Sequence, residues 1–449
     1  MTFRLTAILK SWFADGLLGR IFKNAGLLLT GRAASGLFML GTLSIMAHKL
    51  GVEQFGIVVL VQTYVLVVSG LATFQSWQAV IRYGAIHLER GNDAGLHSLL
   101  RFTTMLDVLG VVIGTIIGFA AVPWVGPALE WNPEVIAAAQ PYSLLILFTV
   151  IATPTGLLRL FDRFDLLAVQ SAITPATRLI GVAIAALADA PLWGYLLAWF
   201  VAGVLGGIAL MFFGWAVAAR SGHLAGMRWR GTIFRAPEPG IWRFVIAANL
   251  HSSLLLIPTQ MATFLVGLVA GPAPAGLFKV ARDVATALAR PAEILNQSIY
   301  PEFAKLGSRG SWTGFAKLIV RGGALAGGAG VAMLALTIAV GEPFLRLAFG
   351  VEFVTAYAAL VLLVGSAVIT IAGFPMDPAL YAMGRPGIPL RVNAITVCLV
   401  FAPLLLYLGE RDGPAGAGVA ALSAAAVGFL AMAAYTVIEL RKRAAEPSA

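Results

Sequence analysis

Apolar stretches of about 20 residues recur from one end of this chain to the other, and no other feature limits its fold so tightly. A bilayer's hydrocarbon layer takes about 20 consecutive, mainly apolar residues of helix to cross. Backbone groups in lipid must be satisfied within the crossing element, which a helix does alone. The reading is therefore an all-α integral membrane protein with twelve transmembrane helices. They are predicted at 26–48, 55–80, 102–122, 136–160, 166–188, 191–219, 244–269, 275–304, 318–340, 356–376, 388–408 and 414–438. Composition agrees: 59% of residues are hydrophobic and 12% charged, where a soluble domain has about 25% charged.

The segments between spans set the organisation. Residues 1–25 carry Arg4, Lys10, Arg20 and Lys23 without the apolar core of a cleavable leader. Leu5, Ile8, Leu9, Trp12 and Phe13 follow helical spacing, which predicts an interfacial amphipathic segment. A basic linker at 220–243 divides the spans six and six, giving lobes at 26–219 and 244–438 and a basic tail at 439–449. With both termini placed in the cytoplasm, the outer segments hold only Lys49, Arg346 and Arg411 as basic residues. That asymmetry fits the positive-inside rule and accounts for the net charge of +10 without nucleic acid.

Short signals repeat between the halves. Gly51…Gly56 returns as Gly271…Gly276, and Asp162-Arg163 returns as Gly384-Arg385, at offsets of 220 and 222 residues. Six spans per repeat bring both halves in from the same side, so the lobes are expected to be parallel repeats around a central cavity.

One predicted span is polar. In 275–304, Lys279, Arg282, Asp283, Thr286, Arg290, Glu293 and Gln297 fall on one face at about 100° per residue. A charge facing lipid costs about 2.5–3.5 kcal/mol on insertion scales, so this face is expected to see water, protein or ligand. Lys279–Asp283 and Arg290–Glu293 have the spacing to pair along the helix, and a structural ion-pair network is the competing reading. Arg32 and Arg178 are further intramembrane cations, while Gln62, Asn249 and Gln260 lie on polar stripes of other spans. Together these read as an anion site, with Arg32, Lys279, Arg282, Arg290 and Arg178 as ligands, since a guanidinium fork suits phosphate. Asp283, Glu293, Asn249, Gln260, Gln62 and Asp107 are cavity or ion-coupling candidates, although for Asp107 a capping role is equally consistent. Pro141, Pro154, Pro175, Pro258, Pro291 and Pro403 free carbonyls inside spans and allow bends.

The sequence lacks GxxxxGK[ST], HExxH and GxSxG, and its single Cys398 makes neither a disulfide nor a metal cluster. Neither an ATP engine nor a metal or cofactor site is expected, and the chain is read as a non-enzyme.

Gly31-Arg32, then Lys49-Leu50-Gly51-Val52-Glu53-Gln54-Phe55-Gly56 and Arg82, resemble the opening of Wzx-type polysaccharide flippases. Those flippases belong to the multidrug/oligosaccharidyl-lipid/polysaccharide exporter superfamily. Ala275-Gly276-Leu277-Phe278-Lys279, Arg290-Pro291 and Tyr300-Pro301 resemble that family's eighth-helix region, and Pro375-Met376-Asp377-Pro378 through Gly384-Arg385 its tenth-to-eleventh turn. The resemblance implies two lobes alternating between inward- and outward-open. It implies a substrate, an oligosaccharide on undecaprenyl diphosphate, flipped across the bacterial inner membrane for O-antigen, capsule or exopolysaccharide export. Arg32, Lys279, Arg282 and Arg290 would meet the diphosphate. Lipid II flippases commonly add two helices, which twelve spans argue against. H+ or Na+ as coupling ion and other polysaccharide export proteins are the partners considered. Rivals are an ion-coupled multidrug exporter, which should favour acidic cavity residues, and a membrane glycan-modifying enzyme, which would need a larger outer loop.

Overall fold

The computed structural model describes residues 16–229, 238–308, 312–385 and 387–445. Within these, the side chains of 16–33, 251, 255, 290–302, 304–308, 444 and 445 lie outside the described residues. Helices follow one another throughout, with no strand among the described residues. Nine helical segments among the described residues are long and apolar enough to cross a membrane. The charged helix Pro272–Ser308 is not among them.

Two of the segments are too long for one crossing. Gly16–Ala72 has 57 residues, which at about 1.5 Å each is roughly 85 Å of helix. It is interrupted at Gly51, where φ is 69° and ψ 176°, a backbone region essentially open only to glycine. Ala402–Ala445 is interrupted in the same way at Gly413, with φ 56° and ψ −131°.

The chain divides into two compact units: Met1–Met46, Val65–Val125 and Asn132–Ser253 form one, and Ala47–Tyr64, Gly126–Trp131 and Leu254–Ala449 the other. Within the first, Gly110 and Gly114 let their helix close onto Ala72, whose carbonyl oxygen would stand 2.3 Å from a Cβ on Gly110. Two of this unit's helices restart mid-chain, at Ser76–Glu89 and at Ala152–Leu160, the latter after a 3-10 stretch at Ser143–Thr149 that follows Pro141. The helix Ile241–Leu256, which the first unit holds as far as Ser253, passes through a π-helical turn at Ile257–Met261 into Ala262–Ala270, both in the second. Gly387–Ile395 likewise passes through a π stretch at Thr396–Phe401 before Pro403.

The repeat seen in the letters is present in the backbone. Arg163 N–H donates to the Leu158 carbonyl at 2.8 Å, and Arg385 N–H to Leu380 at 2.9 Å. The preceding residues, Asp162 and Gly384, have φ of 56° and 75°. Both are Schellman-type helix ends, which need a left-handed residue at that position. Gly271 repeats the elbow of Gly51, with φ 89° and ψ −178°. Five residues beyond each elbow, Gly56 and Gly276 meet backbone to backbone inside the second unit.

A Cβ on Gly56 would lie 2.0 Å from the Pro272 carbonyl oxygen. Gly56→Ala is therefore expected to lower thermal stability in detergent, by about 1–3 kcal/mol as an overpacked contact. Unchanged melting would contradict this packing.

Candidate functional site

The charged helix Pro272–Ser308 supplies the centre of the site. Lys279 is buried and its Nζ stands 2.5 Å from Asp283 Oδ2, one turn along. Arg282 is on the same face and also near Asp283, but its Nη2 is 3.8 Å from Oδ1. The firm partner of Arg282 is the backbone carbonyl of Thr259, to which Nη1 donates. The three charges sum to one net positive, and the two cations are held differently. Lys279 is neutralised by a carboxylate. Arg282 is oriented by a neutral carbonyl that leaves its charge in place.

Arg282 opens onto a cavity of about 480 Å³ inside the second unit. Its polar wall includes Asp377, Asn393 and Thr370, and its apolar wall includes Phe278, Phe401 and Phe429. Both π-helical turns border it, through Pro258 on one side and Thr396, Val397 and Phe401 on the other. Irregular backbone at membrane depth is tolerated where it lines a cavity, and π-bulges are frequent at functional sites.

The other predicted residues are placed as follows. Gln260 lies in the first π turn, and its half-buried side chain keeps Oε1 without a hydrogen-bond partner among the described residues. Gln62 is buried in the second unit. Arg178 belongs to the first unit, its guanidinium 4.3 Å above the Trp199 ring, a cation–π arrangement that orients it without cancelling its charge. Asn249 belongs to that unit too, with Oδ1 buried and unpartnered. The side chains of Arg32, Arg290 and Glu293 lie outside the described residues.

Asp107 takes the capping role. It is fully buried, accepting from Ser76 Oγ at 2.6 Å and from the Thr153 N–H at 2.8 Å. Thr153 lies in the first turn of Ala152–Leu160, so the carboxylate takes up a backbone N–H at that helix start, and the Ser76 hydroxyl ties it to the first residue of Ser76–Glu89.

Asp377 and Asn393 are the cavity residues that sequence reasoning passed over. Asp377 sits in the first turn of the short helix Met376–Ala382, a region assigned to a connection between spans. The signal available was its place between Pro375 and Pro378.

The chain matches the family model described as polysaccharide biosynthesis protein over residues 21–307. It is 34% identical over 354 residues to the inner membrane protein YghQ of Escherichia coli (strain K12), covering 78% of this chain and 98% of that protein. Among solved structures, the inward-facing conformation of a multidrug resistance MATE family transporter of the MOP superfamily is similar, with a TM-score of 0.68 at 15% identity over 93% of this chain and 96% of that one. The outward-facing conformation of such a transporter matches with a TM-score of 0.59 at 16% identity, over 94% and 96% of the two chains. At these identities the likeness is one of fold.

Lys279→Ala leaves the largely buried Asp283 with only Arg282, 3.8 Å away, and is expected to cost up to about 3–5 kcal/mol of stability. The Lys279→Ala/Asp283→Ala pair should recover most of that, and Arg282→Ala, which spares the pair, should melt close to the parent. Thermal unfolding of the four proteins in one detergent checks the order.

Proposed function

The chain belongs to the polysaccharide biosynthesis protein family of the multidrug/oligosaccharidyl-lipid/polysaccharide exporter superfamily, and from that premise we propose that this multi-pass membrane transporter flips a lipid-linked oligosaccharide. The carrier proposed is undecaprenyl diphosphate, the membrane the bacterial inner membrane with both termini cytoplasmic, and the pathway O-antigen, capsule or exopolysaccharide export. The observation that carries this reading is Arg282, a cation held in place but not neutralised on the wall of a cavity with aromatic sides. A diphosphate offers oxygens that a guanidinium fork binds two at a time, and an isoprenoid chain suits phenyl rings.

The twelve-span, two-lobe architecture is part of the proposal. Breaking the two over-long segments at Gly51 and Gly413 and adding the helix Pro272–Ser308 to the nine apolar segments gives twelve crossings. The lobes would then be 26–219 and 244–438, working by alternating access with the internal repeat as its basis. Arg32, Arg178 and Arg290 remain proposed anion ligands, and H+ or Na+ the proposed coupling ion.

A second reading, an ion-coupled exporter of organic cations, is favoured by Asp377 in the same cavity. The two readings separate by substrate. In liposomes, the purified protein should flip a fluorescent undecaprenyl-diphosphate oligosaccharide. Arg282→Ala should abolish flipping while insertion and abundance stay near the parent's, and Asp377→Asn should leave substantial flipping. Native-rate flipping by Arg282→Ala would remove Arg282 from the site. Proton- or sodium-driven efflux of a cationic dye, lost in Asp377→Asn, would favour the exporter.

A further inference from the structure

We propose that Pro258 is a positioning residue whose π-helical turn presents the backbone carbonyl that holds Arg282. This rests on the reading that Arg282 meets an anionic ligand. Proline has no N–H, and its ring clashes with the carbonyl one turn back. At Ile257–Met261 the helix absorbs that misfit by widening into a π turn rather than by breaking. Widening redirects the carbonyls of the turn, and two carbonyls at this turn accept side-chain donors. Thr259 Oγ1 donates to the Leu256 carbonyl at 3.1 Å. The Thr259 carbonyl itself receives Arg282 Nη1 from the neighbouring helix.

The choice of acceptor has a functional consequence. A carboxylate facing Arg282 at hydrogen-bond distance would orient it but cancel its charge, as Asp283 does for Lys279. A carbonyl orients without cancelling, so Arg282 keeps its charge on the cavity wall, with Asp283 no nearer than 3.8 Å. The neighbouring π turn at Thr396–Phe401 packs against the first and borders the same cavity.

The test uses the purified full-length protein in detergent, with farnesyl diphosphate as the probe titrated by calorimetry. Arg282→Ala is expected to weaken binding about tenfold or more, as the loss of a charge-assisted contact. Pro258→Ala is expected to weaken it several-fold, and the double variant to bind no worse than Arg282→Ala alone. Amide exchange across 258–264 should slow in Pro258→Ala as the ladder closes, a readout independent of binding; Pro258→Leu provides the same comparison should the alanine variant fail to fold. In the flipping assay the half-saturating lipid concentration should rise for Pro258→Ala, with the maximal rate changed less. Parent-like binding by Pro258→Ala beside a weakened Arg282→Ala overturns the positioning role and leaves the site standing. Losses that multiply in the double variant overturn it too, because Pro258 would then act on its own. Parent-like binding by Arg282→Ala sinks the site and this inference together.

Discussion

A cation taken out of water inside a packed helical protein must find an acceptor, and the candidate site of this molecule follows from how it supplies one. The helix Pro272–Ser308 uses two solutions one turn apart. Lys279 is closed off by Asp283 at 2.5 Å, which removes its charge from further use. Arg282 is given the Thr259 carbonyl, which satisfies a donor and leaves the charge. The first solution stabilises the helix in its surroundings, and the second keeps a binding group available. The same helix face therefore carries a structural ion pair and a candidate ligand site, and the two readings of the charged stripe divide between neighbouring residues.

Backbone breaks are the means. In the second unit a π turn offers a carbonyl to a guanidinium. In the first, two helices restart at Ser76 and Ala152, and their openings offer donors to the Asp107 carboxylate. The sign is reversed between them: a carboxylate accepts from a backbone N–H at Thr153, and a backbone carbonyl accepts from a guanidinium at Thr259. Membrane-depth irregularity is costly unless something polar meets it, so each break locates a polar partner. At Asp107 the partner is internal and fully enclosed, which makes that site part of the scaffold. At Arg282 the partner leaves charge over, and the charge faces a cavity.

How much of this was legible in the sequence depended on whether side chains or backbone carried the information. The Lys279–Asp283 pair followed from i,i+4 spacing. The repeat was readable because left-handed backbone positions select glycine or aspartate, so Gly51 and Gly271, or Asp162 and Gly384, leave a mark in the letters. Arg282's acceptor left none, since every residue has a carbonyl and the letters do not say which one a guanidinium from another helix meets. Arg178 drew attention as a charge, but its Trp199 platform comes from the following helix, at a distance no spacing rule reaches. Asp377 was hidden by span counting: a helix that restarts at Met376 reads as a connection when only apolar runs are counted. Asp107's partners Ser76 and Thr153 are remote in sequence, so no spacing rule pointed to them.

The pairing of Arg282 and Asp377 around one cavity bears on what kind of anion could bind. A small inorganic phosphate would gain the guanidinium and meet the field of a carboxylate on the same wall, so its net attraction would be modest. A ligand that also places an apolar chain against Phe278, Phe401 and Phe429 gains about 25 cal/mol for each Å² it buries, a contribution Asp377 does not oppose. The cavity's electrostatics alone would thus discriminate weakly among anions. Its selectivity would come from requiring charge and hydrocarbon in one molecule, which is the chemical description of a lipid carrier.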